Sequence, residues 1–263
     1  MTELVCVEVD ENNVAHVRLN SPETSNGMDV PFLKALHAAI LRVHGDPTVR
    51  AVLLSGAGKN FCAGGNVKVF ASKGEQLPDY LREATAWLQI AVSALTQLNV
   101  PVIASVHGFA AGGAGFGLVC AADFVIAADT AKFMSGAVRV GMAPDAGVSV
   151  TLTQLVGLRK AMHILLANPV IDAAEALEIG LLTKVVSEGG LASESISYAA
   201  QFAASAPKAI AATKRLVWGG VGATLAERLP EEARTVSELS GTADSREGLA
   251  AVLERRAPQF RGE

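Results

Sequence analysis

The chain opens with two β-rich apolar runs, Leu4 to Val9 and Val14 to Leu19, separated by the turn-forming set Asp10 to Asn13, a pattern that predicts a hairpin. The period then lengthens. Phe32, Leu33, Leu36, Ile40 and Val43 recur at helical spacing, Asp29 stands where an N-cap belongs, and Gly45-Asp46-Pro47 stops the segment. Arg50 to Ser55 reads as a strand closed by Gly56-Ala57-Gly58, and Lys73 to Asp79 as a mobile loop. A second helix is expected over roughly Tyr80 to Leu98, followed by Val100-Pro101 and a strand over Val102 to Val106. Strand, helix and strand in succession predict parallel pairing through right-handed crossovers, an α/β fold.

From Ala161 onward the pattern changes to helices broken at Pro169, Gly180, Gly189-Gly190, Pro207, Gly219-Gly220 and Gly241. Leu191 to Ser205 and Ala223 to Leu239 are alanine-rich and amphipathic, suited to packing on the core or on another subunit. The expected division is a core over 1–195 and a helical C-terminal region over 196–263. No tandem repeat and no low-complexity tract interrupts it.

The 263 residues suffice for one large domain or a core with a helical annex. A formal charge of -4 and a pI near 5.8 argue against nucleic acid, because no basic stripe exists to displace counterions from a phosphate backbone. Cys6, Cys62 and Cys120 are odd in number and far apart, which fits a reduced, cytoplasmic setting better than a disulfide framework. Glu3, Glu8, Asp10 and Glu11 make the start acidic, unlike a secretory leader. The apolar stretch Gly108 to Ala122 carries five glycines and is ended by Asp123. It falls short of the ~18 to 20 residues that spanning needs, so it reads as buried core and not as a membrane segment.

Two glycine loops carry the candidate chemistry. Lys59-Asn60-Phe61-Cys62-Ala63-Gly64-Gly65-Asn66 follows one strand, and Phe109-Ala110-Ala111-Gly112-Gly113-Ala114-Gly115-Phe116-Gly117 follows another and reads as a tight turn entering a helix. Glycine lets a ligand approach the main chain, and the first turn of a helix leaves N–H groups unpaired. Both loops leave the carboxyl edge of what reads as one parallel sheet, where they are able to offer two N–H donors to a single oxygen. Between Gly108 and Gly157 there are only three carboxylates, Asp123, Asp129 and Asp145. That scarcity limits the available proton chemistry. The five histidines, at 16, 37, 44, 107 and 163, show no ligand spacing, so no metal is expected. His107 reads as structural, and no histidine adjoins Cys62 in sequence to activate it.

Several of these segments together resemble the crotonase (enoyl-CoA hydratase/isomerase) superfamily. They are the Phe61-Cys62-Ala63-Gly64-Gly65 loop, Pro101-Val102-Ile103-Ala104 running into His107-Gly108 and the glycine helix, and the Gly141-Met142-Ala143-Pro144-Asp145 turn. Asp172-Ala173-Ala174-Glu175-Ala176 with Gly180-Leu181, and the tail Arg246-Glu247-Gly248 to Phe260, extend the likeness from about Val5 to Phe260 in the family's order. The resemblance implies a spiral of ββα units, a helical C-terminal trimerisation region giving trimers or hexamers, and acyl-CoA thioester substrates with no further cofactor. It also implies an oxyanion hole from the N–H groups of Gly65 and Ala114, with Gly113 as the alternative to Ala114, and a substrate loop that includes Ala63 and Gly64. The first loop, Pro22-Glu23-Thr24-Ser25-Asn26, lacks the family's frequent basic residues, which leaves Lys68, Arg255 or Arg256, and Phe260 as candidate CoA contacts, the tail acting across a subunit interface.

The departures from the family pattern are as informative. Hydratases of the family use two glutamates, and the matching positions here are Gly117 and Ala137, neither able to transfer a proton. Asp123 is expected to cap and Asp129 to serve its own turn. Asp145 follows Pro144 where some isomerases of the family, including ring and unsaturated-acyl-CoA isomerases, carry their acid; the competing role is an N-cap for a helix through Thr151 to Val156. The leading expectation is an enoyl-CoA isomerase with Asp145 as acid/base. The alternatives are a non-catalytic acyl-CoA-binding protein and a hydratase lacking the usual glutamate pair.

Overall fold

The computed structural model describes residues 3–263. The hairpin forms as β1 (Val5–Val9) and β2 (Val14–Leu19), antiparallel with Val7 opposite Val17. Helix α1 (Val30–Gly45) follows, and the Asp29 carboxylate accepts the Phe32 N–H at 3.1 Å. Such a cap contributes about 1 kcal/mol. β3 (Ala51–Gly56) leads through the first glycine loop to α2 (Val67–Ser72) and α3 (Leu77–Thr96). The expected mobile loop before Tyr80 is instead a 3₁₀ turn, Gly74–Gln76, running straight into α3. A proline at the start of α3 has no N–H to lose there, so the helix begins earlier than its apolar stripe suggests.

β4 (Val102–Val106) has the predicted limits and is buried throughout, and each of its Val and Ile side chains withdrawn from water contributes roughly 1.5–3 kcal/mol. β5 (Phe109–Ala111) and α4 (Gly112–Ala121) come next, then β6 (Phe124–Ala128), β7 (Lys132–Met134), α5 (Val148–Val156) and α6 (Leu158–Met162). A π-helical turn, His163–Ala167, leads to β8 (Ile171–Asp172), α7 (Ala173–Glu178) and β9 (Lys184–Val186). The last four helices are α8 (Leu191–Ala203), α9 (Pro207–Gly220), α10 (Leu225–Ser240) and α11 (Ala243–Glu254).

The large sheet has the order β1-β2-β3-β4-β6-β9, parallel from β2 onward. A second, small sheet pairs β5 with β7 and β7 with β8. Two successive turns of the chain lay one strand in the large sheet, a short strand in the small one and then a helix, β4-β5-α4 and β6-β7-α5. This is the spiral of ββα units that the family likeness implies. β8 and β9 lie beyond Ala161 in a stretch expected to be helical only. They are two and three residues long, too short for a period to show.

α8 crosses β2, β3, β4 and β6, and its buried Ser195 hydroxyl bonds the Ser105 hydroxyl of β4 at 2.9 Å. Phe124 of β6 stacks on Phe202 of the same helix with ring centroids 4.7 Å apart. A division at residue 195 thus cuts a helix that belongs to the core.

Candidate active site

The two glycine loops leave the carboxyl ends of β3 and β4 and are knitted together by main chain. Cys62 N–H donates to the Phe109 carbonyl at 3.1 Å and Ala111 N–H to the Cys62 carbonyl at 2.9 Å. Met28 N–H donates to the Gly64 carbonyl and Asn66 N–H to the Met28 carbonyl, both at 2.8 Å. Gly64 (φ +101°) and Gly112 (φ +64°) sit back to back, so that a Cβ on Gly112 would lie 2.9 Å from the Gly64 Cα. Only glycine satisfies both the left-handed backbone and this approach. Among the described residues nothing accepts the Gly65 N–H, and Ala114 occupies the first turn of α4, where N–H groups lack helical partners. The structure thus brings together the residues expected to form an oxyanion hole.

Asn26 positions this arrangement and was not legible in the sequence. Fully buried, it donates to the carbonyls of Ala57, Asn60 and Phe61 at 2.9, 3.0 and 3.0 Å and accepts the Ser21 N–H at 2.8 Å. Asn60 accepts the Phe109 N–H at 3.0 Å and donates to the Ser25 hydroxyl. His107 Nε2 lies 2.9 Å from the Gly58 carbonyl, a structural contact as expected. The Phe70 ring covers Gly65, leaving no room for a side chain there.

Asp145 lies against the second of these loops. Its carboxylate lies over Gly113 so closely that a Cβ on that glycine would fall inside it. No other described residue hydrogen-bonds this carboxylate, and burial holds its pKa above the ordinary carboxylate range. The N-cap alternative fails. α5 begins at Val148 with Gly147 in the cap position and no side-chain cap, because the positive φ of Ala146 and Gly147 turns the chain before the helix starts.

Gly117 is buried, and a side chain there would place its Cβ 2.5 Å from the Ala146 Cβ. The Asp145-Ala146-Gly147 turn therefore fills the space a glutamate at 117 would need. Ala137 heads the 3₁₀ turn Ala137–Val140 and brings no proton-transferring group.

The remaining candidates fall elsewhere. Asp123 caps no helix: its carboxylate accepts the Val102 N–H at 2.8 Å and the Trp218 indole N–H at 2.7 Å, and pairs with Lys214 at 2.6 Å. Asp129 reaches past its own turn to accept the Glu188 N–H at 3.2 Å. Burial pushes the Cys62 thiol up to about 12, and it donates to the Asn26 carbonyl, so it is no nucleophile. Lys68 is exposed on α2, and Ala63 and Gly64 lie in the loop before that helix.

The tail serves its own helix. Arg256 pairs with Glu247 and Glu254, Gln259 N–H donates to Glu247, and the Phe260 ring lies near Gly248. Gly262 stands beside Pro207 and the Arg50 guanidinium, at the end of β3 opposite the glycine loops. Within one protomer, then, Arg256 and Phe260 do not join the site, because two carboxylates have claimed the guanidinium. Arg255, at the C-terminal end of α11, is exposed.

A model of the family described as enoyl-CoA hydratase/isomerase matches residues 9–263. The chain is 37% identical over 255 residues to a "Probable enoyl-CoA hydratase" of Rhodobacter capsulatus, covering 97% of this chain and 96% of that one. It is 32% identical over 254 residues to the trans-2-decenoyl-(acyl-carrier-protein) isomerase of Streptococcus mutans, with 96% of each covered. The crystal structure of an enoyl-CoA hydratase from Polaromonas sp. JS666 superposes with a TM-score of 0.92 at 32% identity, covering 98% of this chain and 99% of that one.

Proposed function

Because this chain belongs to the enoyl-CoA hydratase/isomerase family, whose members process acyl-CoA thioesters, we propose that it is an enoyl-CoA isomerase that uses Asp145 as its acid/base. The observation that carries the proposal is the unpartnered Asp145 carboxylate above Gly113, at the mouth of the two-loop oxyanion site. The thioester oxygen is held by the N–H groups of Gly65 and Ala114. Asp145 takes a proton from C2 of a 3-enoyl thioester, the negative charge spreads into a dienolate stabilised at that oxygen, and the same proton returns at C4. One carboxylate suffices, since the group that removes the proton is regenerated by delivering it.

Gly117 and Ala137 supply no carboxylates for syn hydration of a 2-enoyl thioester, so crotonyl-CoA is expected to hydrate very slowly. The hydratase names among the relatives belong to those proteins. Leu225, Leu229, Val236, Leu249, Val252 and Leu253 form exposed apolar stripes on α10 and α11, a surface that assembly into a trimer or hexamer would cover.

The deciding experiment supplies a 3-enoyl-CoA and follows the conjugated thioester by ultraviolet absorbance. Asp145→Asn is expected to lower kcat by at least ~100-fold. An unchanged rate in that variant, or fast hydration by the wild type, would overturn the assignment. Tight acyl-CoA binding without turnover at any chain length would make the protein a carrier.

A further inference from the structure

A cavity of about 570 Å³ opens at the end of the sheet opposite the glycine loops, between the entry to β3 and helices α9 and α10. Its volume lies within the range of small-molecule sites. Three cations line it: Arg50, Lys208 and Arg215. None forms an ion pair among the described residues. The two carboxylates of the lining are engaged, Asp46 with the Thr48 N–H and hydroxyl at 2.9 and 2.6 Å, and Glu238 with Arg234 at 2.5 Å. His44, also in the lining, has its Nε2 2.9 Å from the Ala94 carbonyl.

Two further observations point to an anion. α9 begins at this cavity with Pro207 and Lys208, and its N-cap, Ala206, offers no side-chain acceptor, so the first-turn N–H groups and the positive end of the helix are uncompensated. Thr235 of α10, only 3% exposed, lines the same cavity, and its enclosed hydroxyl has no hydrogen-bond partner among the described residues. A buried unpartnered hydroxyl costs stability that a ligand oxygen would recover. Val43, Leu98 and Val100 form an apolar wall beside the charges.

We propose that this cavity binds a phosphate-bearing small molecule, its phosphate held by Arg50, Lys208, Arg215 and the start of α9, and its organic body against the apolar wall. Rotated toward the cavity, the Thr235 hydroxyl supplies a buried hydrogen bond to the phosphate. This ligand site is separate from the acyl-CoA site and does not depend on which reaction the latter performs.

Calorimetric titration of the full chain with phenyl phosphate and with inorganic phosphate tests it. Phenyl phosphate is expected to bind saturably and more tightly than inorganic phosphate, and to do so unchanged in the presence of saturating crotonyl-CoA. The exposed double variant Lys208→Gln, Arg215→Gln is expected to weaken it at least tenfold. Thr235→Val keeps the shape of the side chain and removes only the hydroxyl; it is expected to weaken the phenyl phosphate and leave the melting temperature equal or higher. Equal affinities for the two probes would overturn the apolar subsite. Absence of saturable binding, competition by crotonyl-CoA, or no change in the double variant would overturn the site itself.

Discussion

Asp123 and Asp145 stand at the two ends of the α4 region and meet opposite fates. At the amino ends of β4 and β6, Asp123 is nearly buried, with its side chain 12% exposed, and a backbone N–H, an indole N–H and the Lys214 ammonium satisfy it. At the carboxyl ends, the Asp145 carboxylate has no such partner. A carboxylate fully saturated by the fold has nothing left to offer a substrate, whereas one buried without partners is costly to the fold and available for proton transfer. The difference separates an acid used up by the fold from one left free for the acid/base role proposed above.

The largest expected effect lies at the Asp123 end. Lys214→Met leaves a buried carboxylate without its cation, and breaking such a pair typically costs about 3–5 kcal/mol. Chemical denaturation is expected to show that loss, while kcat per folded molecule stays near wild type. A comparable fall in kcat at intact stability would erase the contrast between the two ends.

Next is Gly113→Ala. Its methyl occupies the space of the Asp145 carboxylate and drives it off the helix start, and a loss of ~100-fold in kcat is expected, as for removing the acid/base itself. Because alanine is favoured over glycine within a helix by up to ~1 kcal/mol, stability should change little. Isomerase turnover at the wild-type rate would show that the carboxylate reacts from another position.

The pH dependence should be asymmetric in the same sense. Asp145 must be ionised to accept the C2 proton, and burial raises its pKa, so kcat/KM should fall on the acid side at a pH above the ~4 of an ordinary aspartate. A group whose folded pKa exceeds its unfolded one destabilises the fold once pH rises through the folded value. Asp145→Asn should therefore melt higher than wild type near neutrality, with the gain vanishing below the unfolded pKa. A gain that grew toward acid would reverse the assigned sign.

The smallest effect concerns the helix cap outside both regions. Asp29→Ala is expected to cost about 1 kcal/mol in denaturation with turnover unchanged. A large kinetic effect would mean that α1 participates in forming the Met28–Gly65 bridge that seats the first glycine loop.

The sequence by itself determined what depends on near neighbours. Two β-rich runs around a turn-forming set made the opening hairpin readable, helical spacing and Asp29 marked α1, and the glycine clusters located both loops, since glycine is needed where two backbones approach too closely for a Cβ. The absence of glutamates at 117 and 137 was equally plain. Tertiary structure decided what depends on distant pairs. Nothing near Asn26 announces that its amide will bind three carbonyls more than thirty residues later, and β8 is too short to carry a period. The placement of Asp145 above Gly113, instead of at the cap of α5, is of the same kind. Both positions suit an aspartate after proline, and only the assembled spiral, with Ala146 filling the space beside Gly117, takes it away from the helix cap.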